Sequence, residues 1–200
     1  MRGQSEGRNI LLIEVIAVAL GITNVSLLIR RNIWNYPFGI VMVLIYGFIF
    51  YDAKLYSEAL LQGFFLIIQF YGWWKWHHAI ADEGEVMVNW SAPITTLLWI
   101  IVTIVLATGF GWMMATYTDA AAPYLDASVA AGSVTAQILL SLRRIENWVY
   151  WVAIDVLSIG LFIYRELYLT AGLYVVFLVL ASAGLISWAR RGAAAKSVPA

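Results

Sequence analysis

The chain has 200 residues, of which 62% are hydrophobic and only 12% are charged, with 10 Trp, 11 Tyr and 9 Phe. Soluble proteins carry about 25% charged residues, so this composition excludes a soluble globular domain and indicates a membrane protein. Because 12 Lys and Arg balance 12 Asp and Glu and Cys is absent, a basic nucleic-acid surface, disulfides, redox pairs and thiolate metal sites are not expected.

Seven apolar stretches follow one another, each about long enough to cross a hydrocarbon core of roughly 30 Å as a helix. They lie at 9–29, 33–50, 57–77, 93–117, 124–142, 147–164 and 169–189. The first is followed by further spans and lacks a small-residue cleavage site, so we interpret it as a transmembrane helix and not as a signal peptide. The fifth is rich in Ala, Ser and Thr, which favours packing against other helices. These continuous apolar runs predict an all-α membrane protein and argue against a β-barrel.

The second stretch begins with the letters WNYPFG at 34–39. A Pro and a Gly at this place either kink the helix around a cavity or form its N-terminal turn, and we favour the turn. Trp34, at the head of this segment, is a candidate for contact with a substrate.

The third helix carries a polar face, because Gln62 and Gln69 are seven residues apart. Such amides either bind the amide or hydroxyl groups of a ligand or join helices within the bilayer, and both interpretations stay open. His77 and His78 close the helix, but adjacent residues do not share a helix face, so we expect a solvated loop there and no metal site. Glu58 is a weaker candidate for a functional residue.

The sixth helix carries the most informative face. Asn147, Trp148, Trp151 and Asp155 fall at helical spacing, so all four share one side. Two indoles can line a flat ring or bind a cation, and a carboxylate can balance its charge. The other interpretation is an interfacial Trp belt with a structural Asp, but an acidic residue at a helix centre costs about 2.5–3.5 kcal/mol, which favours function. Tyr174 in the seventh helix is a further candidate.

Three carboxylates near predicted helix ends have a simpler interpretation. Glu14, Asp126 and Glu146 are each expected to reach lipid headgroups or to pair with an arginine. For Glu146 the expected partner is Arg143, three residues earlier.

Basic residues between the spans indicate the orientation. On the side of the C-terminus lie eight of them: Arg30, Arg31, Lys75, Arg143, Arg144, Arg190, Arg191 and Lys196. On the opposite side lie four: Arg2, Arg8, Lys54 and Arg165. Because positive charge is enriched in cytoplasmic segments, we expect the C-terminus in the cytoplasm and the N-terminus outside.

An internal repeat organises the chain. A shift of 114 residues places Trp34 on Trp148 and Trp74 on Trp188, and a pair of arginines precedes the second helix of each half. We predict two three-helix repeats, 9–77 and 124–189, within one transmembrane domain. Two such units share an orientation only if one more helix crosses between them, and 93–117 is that linker. The expected arrangement is 3+1+3 with parallel repeats, as in SWEET-type transporters.

Enzyme signatures are missing from the sequence, which contains no HExxH, GxSxG or P-loop pattern and only two His. No Lys falls in the middle of a span to hold a chromophore. We therefore predict a protein that is not an enzyme and that has no cofactor or metal.

Two segments resemble the PnuC family of nicotinamide riboside transporters. One covers 34–76 and ends in Gly-Trp-Trp-Lys-Trp, and the other covers 143–155 and contains the WxxW pair Trp148 and Trp151. The similarity extends over nearly the whole chain. It implies a seven-helix 3+1+3 fold of the SWEET type, a homotrimer in the inner cell membrane, and facilitated diffusion of nicotinamide riboside for NAD biosynthesis. It also implies a cytoplasmic kinase that traps the substrate by phosphorylation.

The same resemblance implies that Trp148 and Trp151 contact the substrate ring, with Gln69, Asp155 and Tyr174 as polar lining. Related transporters carry thiamine or riboflavin-like vitamins. Because a pyridinium riboside and thiamine both present a flat cationic ring, thiamine stays open as an alternative substrate. A membrane scaffold or receptor, in which the polar faces would only join helices, stays open as a function of another class.

Overall fold

The structure is a computed structural model, which describes residues 2–52, 56–119 and 121–196, with side chains for 15–52, 59–119 and 121–194. The described part of the chain folds into seven helices: α1 (Arg2–Ile29), α2 (Asn35–Asp52), α3 (Tyr56–Glu83), α4 (Pro93–Tyr117), α5 (Pro123–Ser141), α6 (Glu146–Tyr164) and α7 (Tyr168–Lys196). The all-α prediction is confirmed. The side chains of Glu14 and Glu58 lie outside the described residues.

Helix boundaries differ from the predicted ones mainly where polar residues continue a helix beyond its apolar stretch. α3 runs on to Glu83, so His77 and His78 lie within a helix and not in the loop that the sequence suggested. α2 begins at Asn35, which places Pro37 in its first turn. Proline is tolerated there because the first N–H groups of a helix have no intrahelical partner.

Within the described residues, four helices are long and apolar enough to span a bilayer. They are Asn35–Asp52, Pro93–Tyr117, Glu146–Tyr164 and Tyr168–Ala194, and α1 adds the shorter apolar stretch Val15–Ile29. α3 and α5 fall outside this group because they carry more polar residues. The chain is a multi-pass membrane protein.

The chain packs as two compact units, Met1–Glu85 and Val86–Ala200. In the first unit α2 packs against both α1 and α3, and in the second α6 packs against both α5 and α7. The predicted linker helix α4 packs against α5 and therefore belongs to the second unit. A hydroxyl pair joins them, since Thr103 Oγ1 lies 2.8 Å from Thr135 Oγ1.

Small residues explain the packing of α5. Ala127, Ala131, Gly132 and Ala136 are all buried. A Cβ atom at Gly132 would lie only 3.1 Å from the side chain of Ile154 in α6. The predicted packing of the fifth helix against its neighbours is thus confirmed.

The turns that precede α2 and α6 have the same local structure. Arg31 and Arg143 both have a positive φ, of 56° and 62°. A few residues later the side-chain amide of Asn35 donates to the carbonyl of Asn32 at 2.8 Å, and that of Asn147 donates to the carbonyl of Arg144 at 2.5 Å. Members of each matching pair are 112 residues apart, and not 114 as the sequence comparison suggested.

Aromatic packing follows the same offset of 112 residues. The ring of Tyr36 meets that of Trp76 edge to face at 5.3 Å, and Trp148 meets Trp188 in the same way at 5.5 Å. All four side chains are buried. Tyr36, and not Trp34, is therefore the local counterpart of Trp148.

Candidate functional site

The face of α6 that was predicted to bind a ligand points mainly towards the interior of the protein. Asn147, Trp148 and Asp155 are buried, and Trp151 is partly exposed. These residues share a face because they recur at helical spacing along α6. Their surroundings nevertheless differ, so they divide into structural residues and residues available to a ligand.

Trp148 is enclosed by protein. Its side chain is 1% exposed and packs against Trp188. A Cβ atom at Gly184 would lie 2.6 Å from the indole, so this glycine allows α7 to approach the ring. The Nε1 atom of Trp148 is buried without a hydrogen-bond partner. In this structure Trp148 therefore serves to pack α6 against α7, a role that the sequence pattern did not reveal.

Asn147 stabilises the start of α6. It is fully buried, its Nδ2 atom donates to the carbonyl of Arg144, and its Oδ1 atom has no hydrogen-bond partner. The matching arrangement at Asn35 in the first unit indicates a structural role for both amides. A side chain that bonds its own preceding turn fixes the entry of the chain into the helix.

Asp155 is the buried acidic residue of the sixth helix. It is 5% exposed, and no hydrogen bond or ion pair to it occurs among the described residues. A carboxylate within a membrane span is costly unless a cation or a hydrogen-bond donor accompanies it. Trp151 lies four residues earlier on the same face and is partly exposed. This face of α6 therefore presents both an indole ring and a carboxylate to a ligand.

Tyr174 is held in an aromatic cluster of the second unit. Its ring centroid lies 5.1 Å from that of Phe162 and 6.0 Å from that of Phe177. The ring is partly exposed. Packing of this kind fixes the orientation of the tyrosine, whose hydroxyl group is the polar end of the side chain.

Gln69 and Gln62 have different surroundings in the first unit. Gln69 is 5% exposed and its Oε1 atom is buried without a hydrogen-bond partner. Gln62 is only partly buried and lines a groove of about 360 Å³ between α2 and α3, together with apolar residues that include Val43 and Gly47. The two glutamines of α3 thus differ in environment: the side chain of Gln69 is buried, and that of Gln62 lines an open groove.

The amide of Gln69 is accompanied by a residue that the sequence analysis missed. A Cβ atom at Gly39 would overlap the amide nitrogen of Gln69 and would lie 2.8 Å from that of Asn24. Asn24 also donates to the carbonyl of Asn35 at 2.6 Å. The signal in the sequence was a single Asn within the apolar stretch Val15–Ile29. Only the position of this Asn relative to α2 makes it informative.

The side chain of Trp34 is exposed, unlike that of Gln69 in the same unit. Trp34 lies in the turn before α2, its side chain is 64% exposed, and its backbone N–H donates to Asn32 Oδ1 at 2.9 Å. The structure therefore does not group Trp34 with Gln69 and Asn24. Trp34 also differs from Trp148 in local structure, because Tyr36 is the residue whose aromatic packing matches that of Trp148.

Glu146 contacts the segment that leads into α4. Its Oε1 atom accepts from the backbone N–H of Ser91 at 2.5 Å and from the hydroxyl of Thr96 at 3.1 Å. The structure shows these partners where the sequence suggested Arg143. Asp126 does pair with an arginine, since Arg165 lies 2.8 Å from its carboxylate.

Comparisons with known proteins all identify similar transporters. A family model described as nicotinamide mononucleotide transporter matches residues 11–190. The nicotinamide riboside transporter PnuC of Escherichia coli (strain K12) is 27% identical, over 88% of this chain and 84% of that protein. The riboflavin/roseoflavin transporter RibM of Streptomyces davaonensis is 22% identical, over 88% of this chain and 83% of that protein. Both relatives are named as transporters, which agrees with the prediction that the chain is not an enzyme.

A solved structure is similar as well. The crystal structure of the vitamin B3 transporter PnuC superposes with a TM-score of 0.75 at 26% sequence identity. The match covers 92% of this chain and 83% of that one. The likeness therefore covers most of the helical chain.

Proposed function

The chain belongs to the PnuC family of nicotinamide riboside transporters, and from this membership we propose that it carries nicotinamide riboside across the inner cell membrane. The observation that carries the proposal is Asp155, a buried carboxylate without a partner among the described residues. Nicotinamide riboside presents a flat pyridinium cation, which a carboxylate balances and an indole face attracts. Trp151, on the same face of α6, supplies that indole.

The proposed mode of transport is facilitated diffusion. The sequence contains no nucleotide-binding motif that would supply energy. Phosphorylation of the riboside by a cytoplasmic kinase then traps it, because the phosphate adds negative charge that the bilayer rejects. The trapped product feeds NAD biosynthesis.

The proposed architecture follows the family resemblance. It comprises two parallel three-helix repeats joined by α4, the N-terminus outside, the C-terminus in the cytoplasm, and three copies of the chain in the assembly. The repeated turn and the repeated aromatic pair at an offset of 112 residues support the duplication. The excess of basic residues on the side of the C-terminus supports the orientation.

The proposed binding site comprises Trp151, Asp155 and Tyr174 of the second unit. Gln62 and Gln69 remain separate candidates for substrate contact in the first unit. Trp148, Asn147 and Trp34 are left out. The first two are buried in structural contacts, and Trp34 is exposed in a turn.

A binding experiment on the detergent-purified protein tests this function. Titration calorimetry with nicotinamide riboside, thiamine and riboflavin compares the wild type with Asp155→Asn. We expect the wild type to bind the riboside and the variant to bind it roughly 10- to 100-fold more weakly, because the variant loses the negative charge that attracts the pyridinium cation. Asp126→Asn makes the same chemical change at the salt bridge with Arg165 and serves as the control.

Each other outcome would assign a different substrate or function to this protein. Binding of thiamine alone would keep the site and change the substrate. Binding of riboflavin alone, unaffected by Asp155→Asn, would indicate a neutral vitamin of the kind named for RibM. If none of the three vitamins bound, a scaffold or receptor would be the better description.

A further inference from the structure

One face of the last turns of α3 combines aromatic, basic and acidic side chains. Its residues recur at intervals of three and four along the helix and therefore share one side: Tyr71, Trp74, Lys75, His78 and Asp82. These five residues form the α3 stripe. Four of them are exposed, and Lys75 is partly exposed. The stripe is thus open to the surroundings of this end of the helix.

Contacts between side chains connect the first four members of the stripe. The ring centroid of Trp74 lies 6.2 Å from that of Tyr71 and 4.7 Å from that of His78. The Nζ atom of Lys75 lies 5.8 Å from the centroid of the Tyr71 ring. Each of these side chains therefore has a neighbour on the stripe, although water or lipid reaches all of them.

A hydrogen bond determines which nitrogen of His78 carries a hydrogen. The Nδ1 atom lies 2.8 Å from the backbone carbonyl of Trp74. Because a carbonyl oxygen only accepts, Nδ1 is the donor, and Nε2 of the neutral ring is then an acceptor. The free nitrogen of His78 therefore suits a partner that donates an N–H group.

Opposite charges follow one another along the stripe. The ammonium group of Lys75 comes first, and the carboxylate of Asp82 comes seven residues later, which is about 10 Å along a helix. Within the described part of the chain, neither group forms an ion pair. The nearby Arg31 pairs with Glu85 at 2.9 Å. The stripe thus presents a separated positive and negative charge on one face.

The stripe lies where α3 leaves the hydrocarbon core. α3 has 28 residues and is therefore about 42 Å long, whereas the hydrocarbon core is about 30 Å thick. No charged residue occurs between Ala59 and Trp74. Tyr and Trp are enriched at the boundary between hydrocarbon and water, and Lys extends its charge to the headgroups. The surroundings of the stripe are therefore phospholipid headgroups.

We propose that the α3 stripe binds the headgroup of a zwitterionic aminophospholipid, phosphatidylethanolamine. The lipid phosphate pairs with Lys75, and the lipid ammonium group donates to Asp82 and to His78 Nε2. Phosphate and ammonium thus follow the same order as the charges of the stripe. An ion pair of up to about 4 Å at each end lets the headgroup span the distance between Lys75 and Asp82. This inference concerns the lipid that surrounds the protein and does not depend on the transported substrate.

The chemistry of the stripe selects among headgroups. Phosphatidylglycerol has the phosphate but no ammonium group, so it leaves Asp82 without an opposite charge. Phosphatidylcholine keeps the positive charge, but its quaternary nitrogen has no hydrogen to donate to His78 Nε2. A surface with basic residues alone would instead favour anionic lipids. Ethanolamine is therefore the headgroup that satisfies all three polar groups.

Native mass spectrometry of the detergent-purified protein tests this proposal. The protein is titrated separately with phosphatidylethanolamine, phosphatidylcholine and phosphatidylglycerol that carry identical acyl chains. We expect the wild type to bind phosphatidylethanolamine about fivefold more tightly than either other lipid, because an exposed ion pair changes an equilibrium constant by up to about this factor. The ratio of dissociation constants is the readout, since it cancels binding through the acyl chains alone.

Two variants of the stripe have matched controls. Asp82→Asn is expected to lose the preference over phosphatidylglycerol, and Asp119→Asn, the same change at an exposed residue after α4, should keep it. His78→Ala is expected to reduce the preference over phosphatidylcholine. His77→Ala changes the adjacent exposed histidine, which lies beside the stripe, and should keep the wild-type ratio.

Three results would overturn the proposal. Equal binding of the three lipids by the wild type would exclude selection of ethanolamine. Tighter binding of phosphatidylglycerol would show that Asp82 takes no part in recognition. A preference for phosphatidylethanolamine that Asp82→Asn and Asp119→Asn retain to the same extent would place the lipid elsewhere on the protein.

Discussion

Gly184 of α7 lies directly against the indole ring of Trp148 of α6, so close that a Cβ atom there would stand 2.6 Å from the ring. Trp148 and Trp188 are both buried beside it. The contact between α6 and α7 therefore depends on a residue without a side chain. Small residues serve this purpose in membrane helices because they let two helix backbones approach closely.

Gly184→Ala is expected to destabilise the protein by about 1–3 kcal/mol, since an added methyl group in a packed interior forces its neighbours to move. Gly172→Ala in the same helix is the control, because a Cβ atom there has open space. Thermal unfolding in detergent should show a lower Tm for the first variant alone. Equal Tm values for the two variants would contradict the packing of Trp148 on Gly184.

The two tryptophans of the WxxW pair are expected to respond differently to replacement by alanine. Trp148→Ala removes a buried ring and should cost about 3–5 kcal/mol of stability, with correspondingly less protein in the membrane. Trp151→Ala removes a partly exposed ring and should abolish uptake of nicotinamide riboside at unchanged membrane levels. Uptake normalised to the amount of protein separates the two effects. Normal uptake by Trp151→Ala would remove this residue from the site.

The register of the two halves shows what the sequence can and cannot reveal. Helix positions followed from apolar stretches, because hydropathy depends only on local composition. The offset between the two halves could not be predicted in this way. Trp34 and Trp148 match in residue type, but it is Tyr36 that has the same packing as Trp148. The turn geometry at Arg31 and Arg143 and the two matching aromatic pairs fix the register.

Site residues were predictable to the extent that chemistry alone marks them. A carboxylate in a membrane span is unusual wherever it points, so Asp155 stands out in the sequence, and the structure shows that it is buried. Its role in a site stays a prediction. Asn24 and Gly39 were missed because neither is unusual in isolation. Their relation to Gln69 depends on the packing of three helices.

The buried asparagines that precede α2 and α6 are expected to contribute similarly to stability. Asn35→Ala and Asn147→Ala each remove a side-chain hydrogen bond to a backbone carbonyl. Each should lower the stability by about 0.5–1.5 kcal/mol, the usual net contribution of one hydrogen bond, because each carbonyl still accepts from the backbone N–H at the position of that asparagine. Tm measurements on both variants check this. A loss confined to one of them would show that the two turns are not equivalent.

Glu146→Ala is expected to loosen the start of α4. The carboxylate accepts from the Ser91 backbone and the Thr96 hydroxyl, and α4 has no other side-chain cap at Ala92. Hydrogen exchange at 91–96 should become faster in the variant. Asp82→Ala, at an exposed position of α3, is the control and should leave that segment unchanged.

The ion pair between Asp126 and Arg165 is expected to matter little for stability. Both side chains are partly exposed, and pairs of this kind contribute about 0–1 kcal/mol. Asp126→Asn should shift the Tm by no more than a few degrees, and less still in high salt. A large loss of stability would show that the pair is shielded from water.

Arg31 and Arg143 combine a left-handed backbone with a positive charge. Glycine would adopt this conformation at lower cost, by roughly 1 kcal/mol at each turn. In the proposed orientation, however, both guanidinium groups help to keep these turns in the cytoplasm during membrane insertion. Variants selected only for heat resistance should therefore acquire glycine at both positions and insert into the membrane in the proposed orientation less often. Screens for expression in the membrane and screens for a high Tm would then favour different residues at the same two turns.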